Sequence, residues 1–485
     1  MEVIFSAVMN ELVSRSISFL VDIYLKQKAA PTKEERLRSL QRLLLRLRVI
    51  VDEADGRLIT NQAMLHQLSI LKKEMYKGYY TLDVFSCRAH GEDVKKDRKV
   101  HYFFAHSEFN PAKRVCFCNE DASQAELLEQ VLGSIRDIIK DMSEFVMLLC
   151  KSPRLNRQPY NMYLLLGKCM FGRQMEMEHI INFLLQAERA PDAAENPPFL
   201  PIIGPMGVGK STLIEHACDN ERVRNHFYQI LCFSDDDLKG ATLEILRDRG
   251  RIEHQNRGMG GGRTLIVVEL LSDIERNVWK RLYSAARSHI GSGSKIIIAS
   301  RSDMIARFGT TQPIRLQCLS QEAYWYFFKV CTFGSTNSED HPKLTAVAMD
   351  MARLLNGCFM GAAIFTGLLK ANFNICFWNM ALSIIRNINR KQVLMYGVAE
   401  PWQLAEPVYV RRANKTSSEW FVIFADCQTS SAETEAEDPE TISVHDFYFG
   451  NVRPRGNFKV HAWTSHLPPH YNYMFHCRIE ALPEE

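Results

Sequence analysis

Leu37, Leu40, Leu44, Leu47, Val51, Ala54 and Leu58 recur at alternating steps of three and four residues, which places them on one face of a helix. Arg36, Arg42, Arg46 and Arg48 fall largely outside that face, so the stripe packs inward and the arginines form a solvated row. The same steps return in Leu128, Val131, Ile135, Ile138, Met142, Phe145 and Leu149, and the capping box Ser123-Gln-Ala-Glu126 marks a start for that helix. Two further stripes run from Val3 to Leu25 and from Gln62 to Phe85, the second through Leu68, Leu71, Met75, Tyr79 and Leu82. Short breaks at Ala30-Pro31 and around Asn61 fold neighbours back on one another, so residues 1–150 are expected to form a four-helix bundle.

The pattern then changes period. Continuous apolar runs at Phe199–Ile203, Tyr228–Phe233, Thr264–Glu269, Lys295–Ser300 and Pro313–Cys318 are separated by helix-length stretches. Such runs suit strands covered on both faces, and they predict a parallel α/β sheet over residues 199–330. Residues 151–198 read as a linker and a helix leading into that sheet, and residues 331–395 as a helical subdomain. The uncharged stretch Leu354–Leu369 reads as one buried helix, too short to span a bilayer. In residues 396–485, Pro407–Arg411, Glu419–Ala425, Thr441–His445, Phe458–Trp463 and Tyr471–Cys477 predict a small antiparallel β unit, divided by an acidic loop around Ser430–Glu440. The fold class is therefore multidomain, α followed by α/β with a β-rich end.

The strongest chemical signal sits between the first apolar run and a helix. Gly204-Pro-Met-Gly-Val-Gly-Lys-Ser211 is a phosphate-binding P-loop in strand–loop–helix context. Its glycines let backbone N–H groups surround phosphates, the helix N-terminus adds its positive dipole end, Lys210 neutralises phosphate charge and Ser211 can ligate Mg²⁺. ADP or ATP is the expected ligand, with Mg²⁺ as its companion ion. The Thr264 run ends in Glu269, which can serve the metal directly or through water, or simply cap the strand. Leu270 follows where a second carboxylate would polarise an attacking water, and Asp273 lies a helical turn beyond. Arg301, just past the Lys295 run, is placed to sense a γ-phosphate. Gly258-Met-Gly-Gly-Gly262 precedes a strand rather than a helix, so it reads as a connection and not a second phosphate loop.

Composition narrows the classes without naming one. With 46% hydrophobic and 24% charged residues the chain is globular, and a net charge of +3 gives no reason to expect nucleic acid as a partner. Thirteen scattered cysteines and an N-terminus interrupted by Glu2, Glu11 and Arg15 predict free thiols in a cytoplasmic protein without a signal peptide or transmembrane segment. Peripheral membrane association and nuclear entry remain compatible with that reading. The Cys and His residues between Cys87 and Ala122 do not carry zinc-module spacing and read as a loop.

Taken together, Gly204–Thr212, the upstream Lys168-Cys-Met-Phe-Gly-Arg173, the downstream Gly293-Ser-Lys-Ile-Ile-Ile-Ala-Ser-Arg301 and Gln317–Phe327 resemble the NB-ARC module of plant NLR immune receptors. The N-terminal helices resemble the coiled-coil-type signalling domain of that family, with Met75–Val84 in the place of its acidic EDVID motif. The resemblance covers roughly residues 1–375 and is nearest to short grass-type forms; no winged helix or leucine-rich repeat is recognisable after 375. It implies phosphates held on Gly204, Gly207, Val208, Gly209, Lys210, Ser211 and Thr212, adenine near Phe171, Gly172 and Arg173, and Arg301 as the γ-phosphate sensor. It also implies protein partners through the helical bundle, either other NLRs or signalling proteins. Four departures stand out. The EDVID site keeps only Asp83 of its acidic residues, the paired aspartates of the metal strand are Glu269-Leu270, and the GLPL motif is replaced by Gly357-Cys-Phe-Met-Gly-Ala362. The fourth is the lack of a recognisable winged helix or leucine-rich repeat after 375, where Val444-His-Asp446 imitates the MHD triplet but is followed by a pattern expected to be a strand and turn.

Three functions fit this reading. One is a slow nucleotide-dependent switch in plant defence; another is a non-switching adaptor of full-length receptors with a degenerate site. The third is an active P-loop NTPase, which Leu270 argues against.

Overall fold

The computed structural model describes residues 32–92, 120–154, 171–186, 197–205, 207–234, 251–255, 262–270, 279–280, 283–284, 293–396, 408–410, 419–430, 440–450, 452, 454–464 and 471–481. The chain packs as two units: Met1–Tyr160 with Glu322–Met349, and Asn161–Gln321 with Asp350–Glu485.

The first unit begins with α1 (Lys33–Asp55), which Thr32 and Glu35 start through a reciprocal capping box. Its stripe buries Leu40, Leu44, Leu47, Val51 and Ala54, widened by Leu43 and Ile50. Leu58 does not belong to it, because the helix ends at Gly56 and Leu58 instead donates its N–H to the Pro153 carbonyl at 2.8 Å. Buried Arg57 reinforces that exit, donating to Glu53 and to the Cys150 and Ser152 carbonyls. After α2 (Gln62–Glu92), the fourth predicted stripe proves to be two helices, α3 (Glu120–Lys140) and α4 (Ser143–Lys151). The Asp141 N–H is shared between the Asp137 and Ile138 carbonyls, so the last turn tightens and the rod breaks. The inward seam nevertheless continues, with Met142, Phe145 and Leu149 buried. The start of α3 also lies three residues before Ser123. The Val3–Leu25 stripe and most of the Cys87–Ala122 segment lie outside the described residues.

The second unit opens with α5 (Gln174–Leu185), β1 (Phe199–Ile203), α6 (Lys210–Asp219), α7 (Glu221–His226) and β2 (Gln229–Ser234). Then come β3 (Arg251–Gln255), β4 (Thr264–Glu269), β5 (Lys295–Ser300) and the short β6 (Ile314–Arg315). The sheet order is β3-β2-β4-β5-β1-β6. Five strands are parallel, and β3 adds an antiparallel edge to β2. That edge strand is absent from the sequence reading because Arg251-Ile-Glu-His-Gln255 holds a single apolar residue and so has no legible period. Alternate residues of each strand feed two separate cores: Leu200, Ile202, Val267 and Ile297 on one face, Phe199, Ile203, Val268 and Ile298 on the other. This double burial is why the strands read as unbroken apolar runs.

The chain returns to the first unit with α8 (Gln321–Phe333) and most of α9 (Pro342–Leu355). Tyr326 of α8 packs on Tyr76 and Tyr79 of α2, with ring centroids 4.8 and 5.4 Å apart. Buried Asp83 accepts from Trp325 Nε1 at 2.8 Å and from Lys329 Nζ at 2.6 Å, clasping α2 to α8.

Within the second unit, Leu354–Leu369 is not one helix. Asn356 and Gly357 adopt left-handed φ of 43° and 87°, ending α9, and α10 (Phe359–Ala371) starts afresh before α11 (Ile375–Tyr396). The C-terminal strands are β7 (Val408–Val410), β8 (Glu419–Ser430), β9 (Thr441–Ser443), β10 (Asn457–Thr464) and β11 (Tyr471–Ala481), in the order β7-β8-β11-β10-β9. The sheet is mixed rather than wholly antiparallel, because β9 runs parallel to β10. Between those two strands lies α12 (Val444–Phe449), where a strand and turn were expected. Ser443 decides this: its hydroxyl accepts from the Asp446 N–H at 3.0 Å, and the resulting turn buries Phe447 and Tyr448.

Candidate functional site

β1 delivers the chain to the P-loop at the carboxyl edge of the sheet, where the Gly204 N–H donates to the Ser300 carbonyl at the end of β5. A Cβ at Gly204 would stand 2.6 Å from the Leu316 carbonyl oxygen, so no side chain fits there. Gly207 and Gly209 take left-handed φ of 69° and 88°, and Val208 between them is fully buried, pinning the loop to the core. Met206 lies outside the described residues. The first turn of α6 begins at Lys210, so Lys210, Ser211 and Thr212 present helix-terminal N–H groups that have no intrahelical partner.

Lys210 Nζ donates to the Gly204 and Pro205 carbonyls, each at 2.8 Å, folding the ammonium over the loop. Burial and the nearby Arg301 guanidinium lower its pKa to about 8, against a smaller opposing pull from Glu269. Arg301 follows β5 directly and is half-buried. Ser211 Oγ donates to Glu269 Oε2 at 3.0 Å, setting a hydroxyl and a carboxylate side by side at the end of β4. Leu270 is buried and its N–H donates to the Ala299 carbonyl, so it supplies packing and no base. Asp273 lies outside the described residues.

Of Phe171, Gly172 and Arg173, the residues expected beside adenine, the last two lie against the Gln317–Leu319 segment. Phe171 and Arg173 are buried beside Gly172, whose φ is 68°. Arg173 donates to the Gln317 carbonyl and pairs with Glu176. Two residues that the sequence does not join to the phosphate loop, Cys358 and Phe359, contact it directly. A Cβ on Gly357 would meet Cys318 at 2.8 Å, Cys358 Sγ lies against Gly207, and the Phe359 N–H donates to the Gly207 carbonyl at 2.9 Å. Gly357-Cys-Phe-Met in place of the GLPL motif carries no sequence signal of this contact. His445 and Asp446 have local engagements: the His445 ring stacks on Phe377 at 6.2 Å, and Asp446 accepts from the Ser443 hydroxyl.

A nucleoside phosphate fits these residues, since the loop has two left-handed glycines, an open helix N-terminus and a lysine and arginine near one another. A divalent cation is compatible with Ser211 and Glu269 on the condition that phosphate oxygens and water complete its shell. Among the described residues no group of three or more His, Cys, Asp or Glu side chains could hold a metal by itself. Nor is any described helix long and apolar enough to cross a membrane.

Residues 173–338 match the NB-ARC domain family model. Disease resistance protein RGA2 of Solanum bulbocastanum is 26% identical over 217 residues, covering 41% of this chain and 22% of that protein. Putative disease resistance protein RGA4 of the same species is 28% identical over 220 residues, covering 41% and 21%. Probable disease resistance protein At1g59620 of Arabidopsis thaliana is 21% identical over 356 residues, covering 65% and 39%. The chain thus spans about a fifth of the length of the first two relatives. Saccharomyces cerevisiae RIF2 aligns at a TM-score of 0.25 and 13% identity, over 50% of this chain and 89% of that one, too slight a likeness to bear on the fold. Over residues 173–338 the chain is thus similar to the NB-ARC domain, and over about two-fifths of its length to plant disease resistance proteins.

Proposed function

We propose that this chain binds ADP or ATP at Gly204–Thr212 and acts in plant defence as a slow nucleotide-dependent switch that signals through protein partners. The observation that carries this reading is the loop itself. Left-handed Gly207 and Gly209 turn the backbone, Lys210 stands over it, and Arg301 is close enough to lower the lysine's pKa. Two cations held this near each other in a half-buried site favour an anion between them, because phosphate relieves their mutual repulsion. In this reading Val208 anchors the loop, and the N–H groups of Gly209 to Thr212 face the phosphates. Lys210 leaves the Gly204 and Pro205 carbonyls to pair with phosphate oxygen. Arg301 contacts a γ-phosphate where one is present, and Phe171, Gly172 and Arg173 border the base. Ser211 and Glu269 would hold Mg²⁺, exchanging their mutual hydrogen bond for the ion.

Buried Leu270 favours a holding site over rapid hydrolysis, since no carboxylate follows Glu269 to orient water. Asp83 supplies a route from nucleotide domain to bundle: α8 lies inside the NB-ARC match and is clasped to α2. Partners are proposed to meet the helical bundle, and the protein is proposed to work in the cytoplasm. Calorimetry of the purified full chain with ADP and with ATP, beside Lys210→Ala, tests the proposal. Wild-type affinity at least about tenfold above the variant is expected for the lost charge-assisted contact; equal affinities would remove the nucleotide from the mechanism. Single-turnover hydrolysis at many events per minute would replace the switch with an NTPase. Nucleotide binding with no ADP-to-ATP difference in bundle protection would leave the adaptor reading instead.

A further inference from the structure

Cys318 is exposed just beyond β6, whereas Cys358 is 7% exposed at the N-cap of α10. Only glycine separates them. Gly357, in its left-handed turn, places the position of an absent Cβ 2.8 Å from Cys318 Cβ, 3.3 Å from its Sγ and 3.5 Å from its Cα. Adding one carbon–carbon bond and one Cα–Cα step puts the Cys318 and Cys358 Cα atoms within about 9 Å at the outside. A disulfide needs about 4.4–6.8 Å, a span reached by adjusting one exposed loop residue. The Cys358 sulfur has meanwhile a second engagement. It caps α10 by accepting from the Gly361 N–H at 3.2 Å, and a Cβ at Gly207 would lie only 2.7 Å from it.

We propose that Cys318 and Cys358 are an oxidation site, forming a disulfide with hydrogen peroxide that draws the Cys358 sulfur off Gly207 and weakens nucleotide binding. The second half of this proposal rests on the nucleotide-binding reading above; the first does not. The Cys318 thiolate attacks one peroxide oxygen, the O–O bond breaks, and hydroxide leaves to become water. The Cys358 sulfur then attacks the Cys318 sulfur of the sulfenic acid, giving up its proton as the S–O bond breaks and a second water departs. Two thiols are oxidised by two electrons and one peroxide is reduced to two waters. The order follows from access: Cys318 meets solvent, while burial raises the Cys358 thiol to about 11 and keeps it a poor first nucleophile. Once linked, the sulfur cannot keep both its cap on α10 and its seat against the phosphate loop.

The test treats the native full chain with hydrogen peroxide, maps peptides under non-reducing conditions, and titrates ADP before oxidation, after it, and after dithiothreitol. A Cys318–Cys358 linked peptide is expected, absent in Cys318→Ser and reversed by dithiothreitol. ADP affinity should fall about tenfold on oxidation, the scale of one lost loop hydrogen bond, and return on reduction. Cys318→Ser, an exposed change, should bind ADP as the reduced wild type does and lose the response to peroxide. Oxidation of Cys318 to sulfinic acid without the linked peptide would overturn the site. A linked peptide with unchanged ADP affinity would overturn the effect on the loop. If the reduced wild type does not bind ADP, the nucleotide reading fails and the effect on the loop fails with it, while the linked peptide still decides the site.

Discussion

Replacing Asp83 by alanine removes the acceptor of two donors at once. Trp325 Nε1–H is left in a buried setting without its 2.8 Å partner, and Lys329 Nζ loses a 2.6 Å carboxylate while its side chain is only 15% exposed. An orphaned buried donor costs about 1–3 kcal/mol and breaking a buried ion pair about 3–5 kcal/mol. Two features reduce the sum. The lysine has some access to water, and its ammonium lies 5.5 Å from the Tyr79 ring centre and 5.9 Å from that of Trp325, a residual attraction of about 0.5–2 kcal/mol. The net expectation is about 3 kcal/mol for opening α8 from α2, or about a hundredfold in the opening equilibrium. Asp83→Asn keeps an acceptor for Trp325 and loses only the charge, so about tenfold is expected, in line with the smaller worth of a neutral hydrogen bond. Hydrogen exchange of the native full chain, read by mass spectrometry on α8 and α2 peptides, measures this opening without assuming that so long a chain unfolds in one step. Peptides from α4 serve as the internal reference. Protection of α8 in Asp83→Ala within about threefold of wild type would refute the clasp as an energetic link.

Gly207→Ala should lower ADP affinity more than tenfold, because alanine carries a left-handed penalty of about 1–2 kcal/mol and its Cβ would meet the Cys358 sulfur at 2.7 Å. Calorimetry of Gly207→Ala with Cys358→Ala should recover part of that loss; no recovery would show that the contact is not the cause. The lowered Lys210 pKa makes binding proton-linked. The ammonium is the form that pairs with phosphate, so below about 8 the free protein already holds the proton, and above it binding must take one up. Affinity should therefore fall as pH rises through about 8 and beyond, by up to about tenfold per pH unit, and heats measured at pH 8.5 should depend on the buffer's ionisation enthalpy. Affinity that stays flat from pH 7 to 9.5 would contradict this. Phe447→Ala, which empties a fully buried site against Phe421 and Phe458, should destabilise the C-terminal sheet by about 3–5 kcal/mol, read as faster exchange in β8 and β10. Unchanged exchange there would place Phe447 outside that core.

Much of this protein was legible in one dimension because its signals are local. The parallel strands announce themselves through apolar runs, since both faces of the sheet are covered. The P-loop does so through glycines at the two positions that take positive φ, Gly207 and Gly209. Helical stripes likewise name the faces of α1 and α2. Local signals are weak elsewhere: β3 has one apolar residue, α3 and α4 share a continuous seam despite their break, and α12 depends on a single serine cap.

Other features lie beyond any sequence period. That α8 of the NB-ARC-like region packs on α2, with Asp83 under Trp325 and Lys329, joins positions 242 and 246 residues apart. That Cys358 sits on the phosphate loop, with Cys318 across Gly357, follows only from how the exit of β6 and the start of α10 converge. Backbone conformation and strand burial are settled by residues a few positions apart, whereas a buried charge or thiol acquires its partner only when the chain closes long loops. A P-loop α/β domain after a helical bundle is thus written in local patterns, whereas the partners of Asp83 and Cys358 arise only from long-range closure of the chain.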